Sequence, residues 1–165
     1  PLYSSAASDV YKRQALEEVA TSYFRRAERE GKPVALVLFD LNDFHNLNNR
    51  FGHLAGDSAL VEFAETLNRS IRGSDMVARY GGDEFVLLLG ETGRAGAEVV
   101  VARVEERLQV RNQNLAGDKP PLTFAAGAAE FQPGMNFTSL FREADLELLR
   151  RKAEQQGAAP AASHR

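Results

Sequence analysis

Two glycines and two acids stand together at Gly81-Gly82-Asp83-Glu84, between the strand-like runs 76–80 and 85–89. Small residues between apolar runs read as a hairpin tip, here one that carries carboxylates. A third acid, Asp40, closes the continuous apolar run Val34-Ala35-Leu36-Val37-Leu38-Phe39, the mark of a strand buried on both faces. Two or three carboxylates with a backbone carbonyl make an oxygen site for a hard cation, and such a site also binds substrate phosphates. The glycine pair leaves room for a phosphate to approach the backbone. Taken singly, Asp40 suits the cap of a following helix and Asp83 suits a turn. Together, beside the glycines, they favour a site.

The elements that must position these acids follow from hydrophobic periodicity. From Ala15, residues Leu16, Val19, Ala20, Tyr23 and Phe24 recur at helical steps, and Gly31 with Pro33 ends that helix. Residues 40–57 are polar, but Phe44, Leu47 and Phe51 predict a short helix packed by one side. Leu60, Phe63, Ala64, Leu67 and Ile71 define an amphipathic helix, and Ala97, Val100, Val101, Val104 and Leu108 another. Leu122-Thr123-Phe124 opens a strand that continues through small residues to 129, and Leu140, Phe141, Ala144, Leu148 and Leu149 mark the last helix. The order predicts an α+β fold with a ferredoxin-like βαββαβ core, a mostly antiparallel sheet flanked by helices, as in polymerase palms and nucleotidyl cyclases. In that sheet the first strand and the central hairpin are neighbours, which brings Asp40 towards Asp83 and Glu84. Residues 1–14 show no period and read as an atypical, non-native or disordered segment; residues 155–165, rich in Ala and Gln, read as a disordered tail.

Bulk properties narrow the classes. The 165 residues suit one domain, and 44% apolar with 26% charged content is that of a globular protein. A formal charge of −3 supplies no basic field, which argues against a general nucleic-acid binder. A phosphate ligand would need local cations or a metal. The absence of cysteine excludes a disulfide framework or thiolate metal site and suits the cytoplasm. No run approaches a membrane span and no signal peptide is visible, so a cytoplasmic location is expected.

Several motifs in order resemble the GGDEF domain of diguanylate cyclases. These are Asp40-Leu41-Asn42-Asp43-Phe44, Asn48, Gly52-His53-Leu54-Ala55-Gly56-Asp57 and Arg79-Tyr80-Gly81-Gly82-Asp83-Glu84-Phe85. The resemblance covers residues 15–152 and implies condensation of two GTP into cyclic di-GMP and pyrophosphate. It implies that Asp40, Asp83 and the Leu41 carbonyl hold Mg²⁺ or Mn²⁺. Glu84 would support a second cation or help deprotonate the attacking 3′-hydroxyl. Asn48 and Asp57 would read the guanine edge, which suits an amide and a carboxylate facing N1–H and N2–H₂. Gly81, Gly82, Phe44, His45 and Lys152 would complete the GTP site. Seen apart, Asn48 would be a surface helix residue and Asp57 a helix cap. Arg72-Gly73-Ser74-Asp75, separated from Gly81 by five residues, matches the family's product-inhibition motif, and Arg103 a further arginine of that site. The resemblance implies a homodimer and a sensor or regulatory domain in the parent protein, whether soluble or membrane-anchored.

The chain departs from the family at the phosphate grip. His45 replaces a lysine, Asn42 an aspartate, Leu149 a tyrosine, and Gln155 and Gln156 a glycine and an arginine. Two of three cationic contacts are absent or weakened, since neutral histidine contributes little charge near pH 7. Each charge-assisted bond is worth roughly 1.5–3 kcal/mol, so GTP binding weakens by one to a few orders of magnitude unless the metal or Arg151 compensates. Slow or weak-binding catalysis is expected. The alternative is a degenerate module that binds cyclic di-GMP or GTP as a sensor. A cyclase for another nucleotide fits Asn48 and Asp57 less well.

Overall fold

The computed structural model describes residues 6–158. Its elements are α1 (Ala6–Glu30), β1 (Val34–Leu41), α2 (Phe44–Phe51), α3 (His53–Arg69), β2 (Met76–Gly81), β3 (Glu84–Gly90), α4 (Arg94–Gln113), β4 (Phe124–Glu130) and α5 (Phe137–Ala158). The sheet has the order β2-β3-β1-β4 with every pairing antiparallel. This is the expected βαββαβ core, with α3 and α4 as its two crossovers. Among the described residues no helix is long and apolar enough to cross a membrane.

Strand alternation sorts the interior into two cores. Ala35, Val37, Phe39 and Leu41 of β1 pack with Phe85 and Leu87 of β3 under Phe63 and Leu67 of α3 and Val104 and Leu108 of α4. Leu36 and Leu38 face the other way with Val86 and Leu88, against Leu16, Ala20 and Phe24 of α1 and Leu140, Ala144 and Leu148 of α5. β1 is buried along its whole length, as its unbroken apolar run requires. At Gly127 a Cβ would stand 2.2 Å from the Ala144 carbonyl oxygen, so only glycine lets α5 lie so close to β4.

Two boundaries differ from the sequence reading. Helix α1 begins at Ala6, nine residues before the apolar period; Ala6, Ala7, Arg13 and Gln14 are good helix formers that need no buried stripe. Helix α5 runs through 155–158, part of the expected tail, where Gln155, Gln156 and Ala158 are good helix formers. Residues 1–5 and 159–165, the outer parts of those two segments, lie outside the described residues.

Candidate active site

Asp40 continues the parity of Leu36 and Leu38, so strand geometry turns it towards the α1/α5 side. The antiparallel register sets it directly opposite Glu84. Asp40 is therefore a buried strand residue and not a helix cap, the residue before α2 being Asp43 in the left-handed region. The hairpin tip is pinned to the same strand end, where the Leu41 amide donates to the Asp83 carbonyl at 3.2 Å. The Arg79 guanidinium closes the tip from within, donating to the carbonyl oxygens of Gly81 and Gly82 at 2.7–3.2 Å. A Cβ at Gly82 would meet nothing within 4 Å, so the tip presents open backbone beside the acids.

The electrostatics of this corner are unfavourable without a cation. Asp83 is pushed up to about 6 by loss of hydration, then by the negative Asp40 and their carboxyl contact. Glu84 reaches solvent, yet crowding at the tip raises it too, followed by Asp40, with Lys152 opposing. The Lys152 ammonium lies on Asp40 Oδ2. Asp40 Oδ1 is buried with no hydrogen-bond partner. Hard carboxylate oxygens, one of them orphaned and one already drawing a cation, fit Mg²⁺ or Mn²⁺. Among the described residues no group of three or more Asp, Glu or His side chains is placed to hold a metal alone, so backbone or phosphate oxygens must complete the coordination.

A cavity of about 510 Å³ opens here, lined by Asp40, Leu41, Phe44, His45, Asp83, Lys152, Gln155 and Gln156 among others. His45 Nε2 lies 3.2 Å from Asn49 Nδ2. Gln155 donates to the Phe124 carbonyl at 3.2 Å and accepts from Asn42 at 3.4 Å, while Asn42 also reaches Thr123 at 3.0 Å. Asn42 and Gln155, two of the departures from the family pattern, therefore form a neutral amide clasp that ties α5 to the sheet. Arg151, the possible substitute cation, is engaged by Glu98 and Glu147.

Asn48 and Asp57, the pair expected to read guanine, come from the neighbouring helices. Asn48 lies on α2, and Asp57 is exposed in the second turn of α3, inside the helix and not at its cap. Asn48 Oδ1 is the other buried, unpartnered side-chain oxygen among the described residues. A Cβ on Gly56 would stand 1.7 Å from it, so the glycine is what admits the Asn48 amide. Gly56→Ala is expected to displace that amide, raising the KM for GTP about tenfold with little loss of melting temperature, as side-by-side kinetics and thermal melts would measure.

Arg72, Asp75 and Arg103 line a second cavity of about 450 Å³. Asp75 accepts from the amides of Arg72 and Gly90, each at 3.0 Å. The Arg72 guanidinium donates to the Gly90 carbonyl at 2.7 Å and to Thr92 at 2.9 Å, and Arg103 to the Ser70 carbonyl at 2.8 Å. A larger cleft of about 690 Å³ between α3 and α4 shares only Arg103 with it. Its Glu62 is neutralised by Arg111 and Lys119, which reads as a structural network. Sequence reasoning missed the Arg79 closure, the Gly56–Asn48 fit and Thr92, all of which are contacts without a periodic pattern.

The fold is the palm-like α+β arrangement, with a cavity at each of the two clusters. The family model "Diguanylate cyclase, GGDEF domain" matches residues 6–158, and the chain belongs to that family. The diguanylate cyclase DgcP of Pseudomonas aeruginosa is 32% identical over 140 residues, 85% of this chain and 21% of that protein. The diguanylate cyclase SiaD of the same species, solved with its activator SiaC, superposes with a TM-score of 0.79 at 30% identity, covering 86% of this chain and 55% of that one. A microbial GGDEF domain described in its interaction with bis-(3′,5′)-cyclic di-GMP gives 0.68 at 30% identity, over 84% and 87% of the two chains. The chain thus spans about a fifth of the length of DgcP.

Proposed function

We propose that this chain is the catalytic domain of a diguanylate cyclase, joining two GTP into cyclic di-GMP with release of pyrophosphate. One observation carries the reading. The two buried side-chain oxygens without a partner among the described residues, Asp40 Oδ1 and Asn48 Oδ1, fall at the two ends proposed for one guanine nucleotide. An unpaired buried polar atom costs roughly 1–3 kcal/mol, which a ligand that supplies the partner removes. Asn48 Oδ1 accepts from the guanine edge, and Asp57 accepts beside it. Asp40, Asp83 and the Leu41 carbonyl would hold Mg²⁺ or Mn²⁺, which would supply Lewis-acid stabilisation of phosphate charge there.

The chain's own groups do the rest. Open backbone at Gly82 admits the phosphates beside Gly81. Phe44 and His45 wall the cavity, and Lys152 exchanges Asp40 for phosphate when the nucleotide enters. Glu84, raised above an ordinary carboxylate, is suited to take the proton of the 3′-hydroxyl. Arg72, Asp75 and Arg103 bind cyclic di-GMP as a feedback site. His45 and the Asn42–Gln155 clasp leave the triphosphate grip short of charge, so turnover is slow.

Incubation with Mg²⁺ and either GTP or ATP, followed by chromatography of the products, tests this. Cyclic di-GMP from GTP alone is expected. Cyclic di-GMP binding without turnover would instead favour a sensor module, the reading to which the weakened phosphate grip points.

A further inference from the structure

The loop that carries Arg72 and Asp75 is held from outside by a residue of α1. Tyr23 Oη donates to the carbonyl oxygen of Ser74 at 2.6 Å, across 51 residues of sequence. Ser74 stands between Arg72 and Asp75 in sequence and lines, with Tyr23 and Gly90, a neighbouring cavity. The Tyr23 ring also packs on the end of β3, where a Cβ added to Gly90 would stand 3.5 Å from the ring. Gly90 in turn gives its amide to Asp75 Oδ1 and its carbonyl to the Arg72 guanidinium. One phenol therefore touches both anchors of the loop, the Ser74 carbonyl and Gly90. Burial first, then the negative Asp75, raise the Tyr23 hydroxyl above its ordinary value, so it stays a donor at any working pH.

We propose that Tyr23 is a positioning residue of the Arg72/Asp75/Arg103 site, fixing through Ser74 and Gly90 the loop geometry that keeps Arg72 and Asp75 on the wall of that cavity. This rests on the proposed binding of cyclic di-GMP at that site. A loop of four residues with exposed Gly73 and Ser74 has many conformations, and only some place the Asp75 carboxylate and the Arg72 guanidinium on one wall. Holding its central carbonyl removes part of that freedom before the ligand arrives. Because α1 supplies the phenol, affinity at the second site becomes linked to the seating of α1 on β2, which also involves Arg13 over the Tyr80 ring at 4.6 Å.

Tyr23→Phe keeps the ring against Gly90 and removes only the hydroxyl. Calorimetry with cyclic di-GMP on the whole chain is expected to show affinity about threefold to tenfold weaker than wild type, the range of one hydrogen bond. Amide exchange without ligand is expected to accelerate at Asp75 and Gly90 and nowhere else in the sheet. Equal affinities in the two proteins would overturn the proposal, as would unchanged exchange at those amides or acceleration spread over the whole sheet. Wild-type protein that binds no cyclic di-GMP would overturn the reading of the site itself, an outcome separate from equal affinities because it needs no variant.

Discussion

Replacing Asp83 by asparagine is expected to abolish cyclic di-GMP synthesis, by a factor on the order of a thousand, while making the protein more stable at neutral pH. The two effects share a cause. Asp83 sits against Asp40 with its affinity for protons raised to about 6, so the ionised carboxylate opposes folding unless a cation lies between the pair. A carboxylate whose folded value exceeds its unfolded one binds more protons when folded. Stability from this group is therefore greatest in acid, falls as pH rises from about 4 through 6, and stays low above that. With the partial exposure of Asp83, the loss amounts to about 1–2 kcal/mol.

Thermal melts at pH 5 and pH 7.5 measure it. The wild type should lose about half of that stability between the two values and the variant should not, and Mg²⁺ should recover it in the wild type at pH 7.5. A variant that keeps a tenth of wild-type activity would remove Asp83 from the metal site. Wild-type and variant melts that move in parallel with pH would show that Asp83 is not strained by Asp40.

Much of this site was legible because strand periodicity is rigid. The unbroken run 34–39 placed β1 at the centre of the sheet, and a βαββαβ order then forced the hairpin beside it, which brought Asp40 opposite Glu84 without any knowledge of side-chain contacts. The Arg72-x-x-Asp75 motif was equally local, and its residues do line one cavity with Arg103. What escaped were contacts set by tertiary packing. Lys152, expected in the phosphate grip, also lies on Asp40, a contact no periodicity announces. Arg151, expected to compensate, is engaged by Glu98 of α4. The beginning of α1 and the end of α5 lack an apolar stripe, so hydrophobic period was silent where backbone propensity was not.

The rate per protomer is expected to rise with protein concentration and to collapse when an inactive copy is mixed in. Each chain offers one corner suited to guanine, at Asn48 and Asp57, and one carboxylate pair, at Asp40 and Asp83. Cyclic di-GMP contains two guanosines joined by two phosphodiester bonds, so one such site holds only half of what the product requires. Two copies facing each other would supply the second nucleotide, and each 3′-hydroxyl would then lie against the α-phosphate held by the partner. A symmetric pair of this kind forms by mass action, so dilution empties it. Adding a tenfold excess of Asp83→Ala protein to a fixed amount of wild type should sequester wild-type chains in mixed pairs that close at most one of the two bonds. With random mixing the yield of cyclic product per wild-type chain falls about tenfold, whereas the same excess of a chain unable to pair leaves it unchanged. A rate that stays flat on dilution and ignores the inactive copy would mean that one protomer binds both nucleotides, and the cavity at Asp40 would then have to extend well beyond its present 510 Å³.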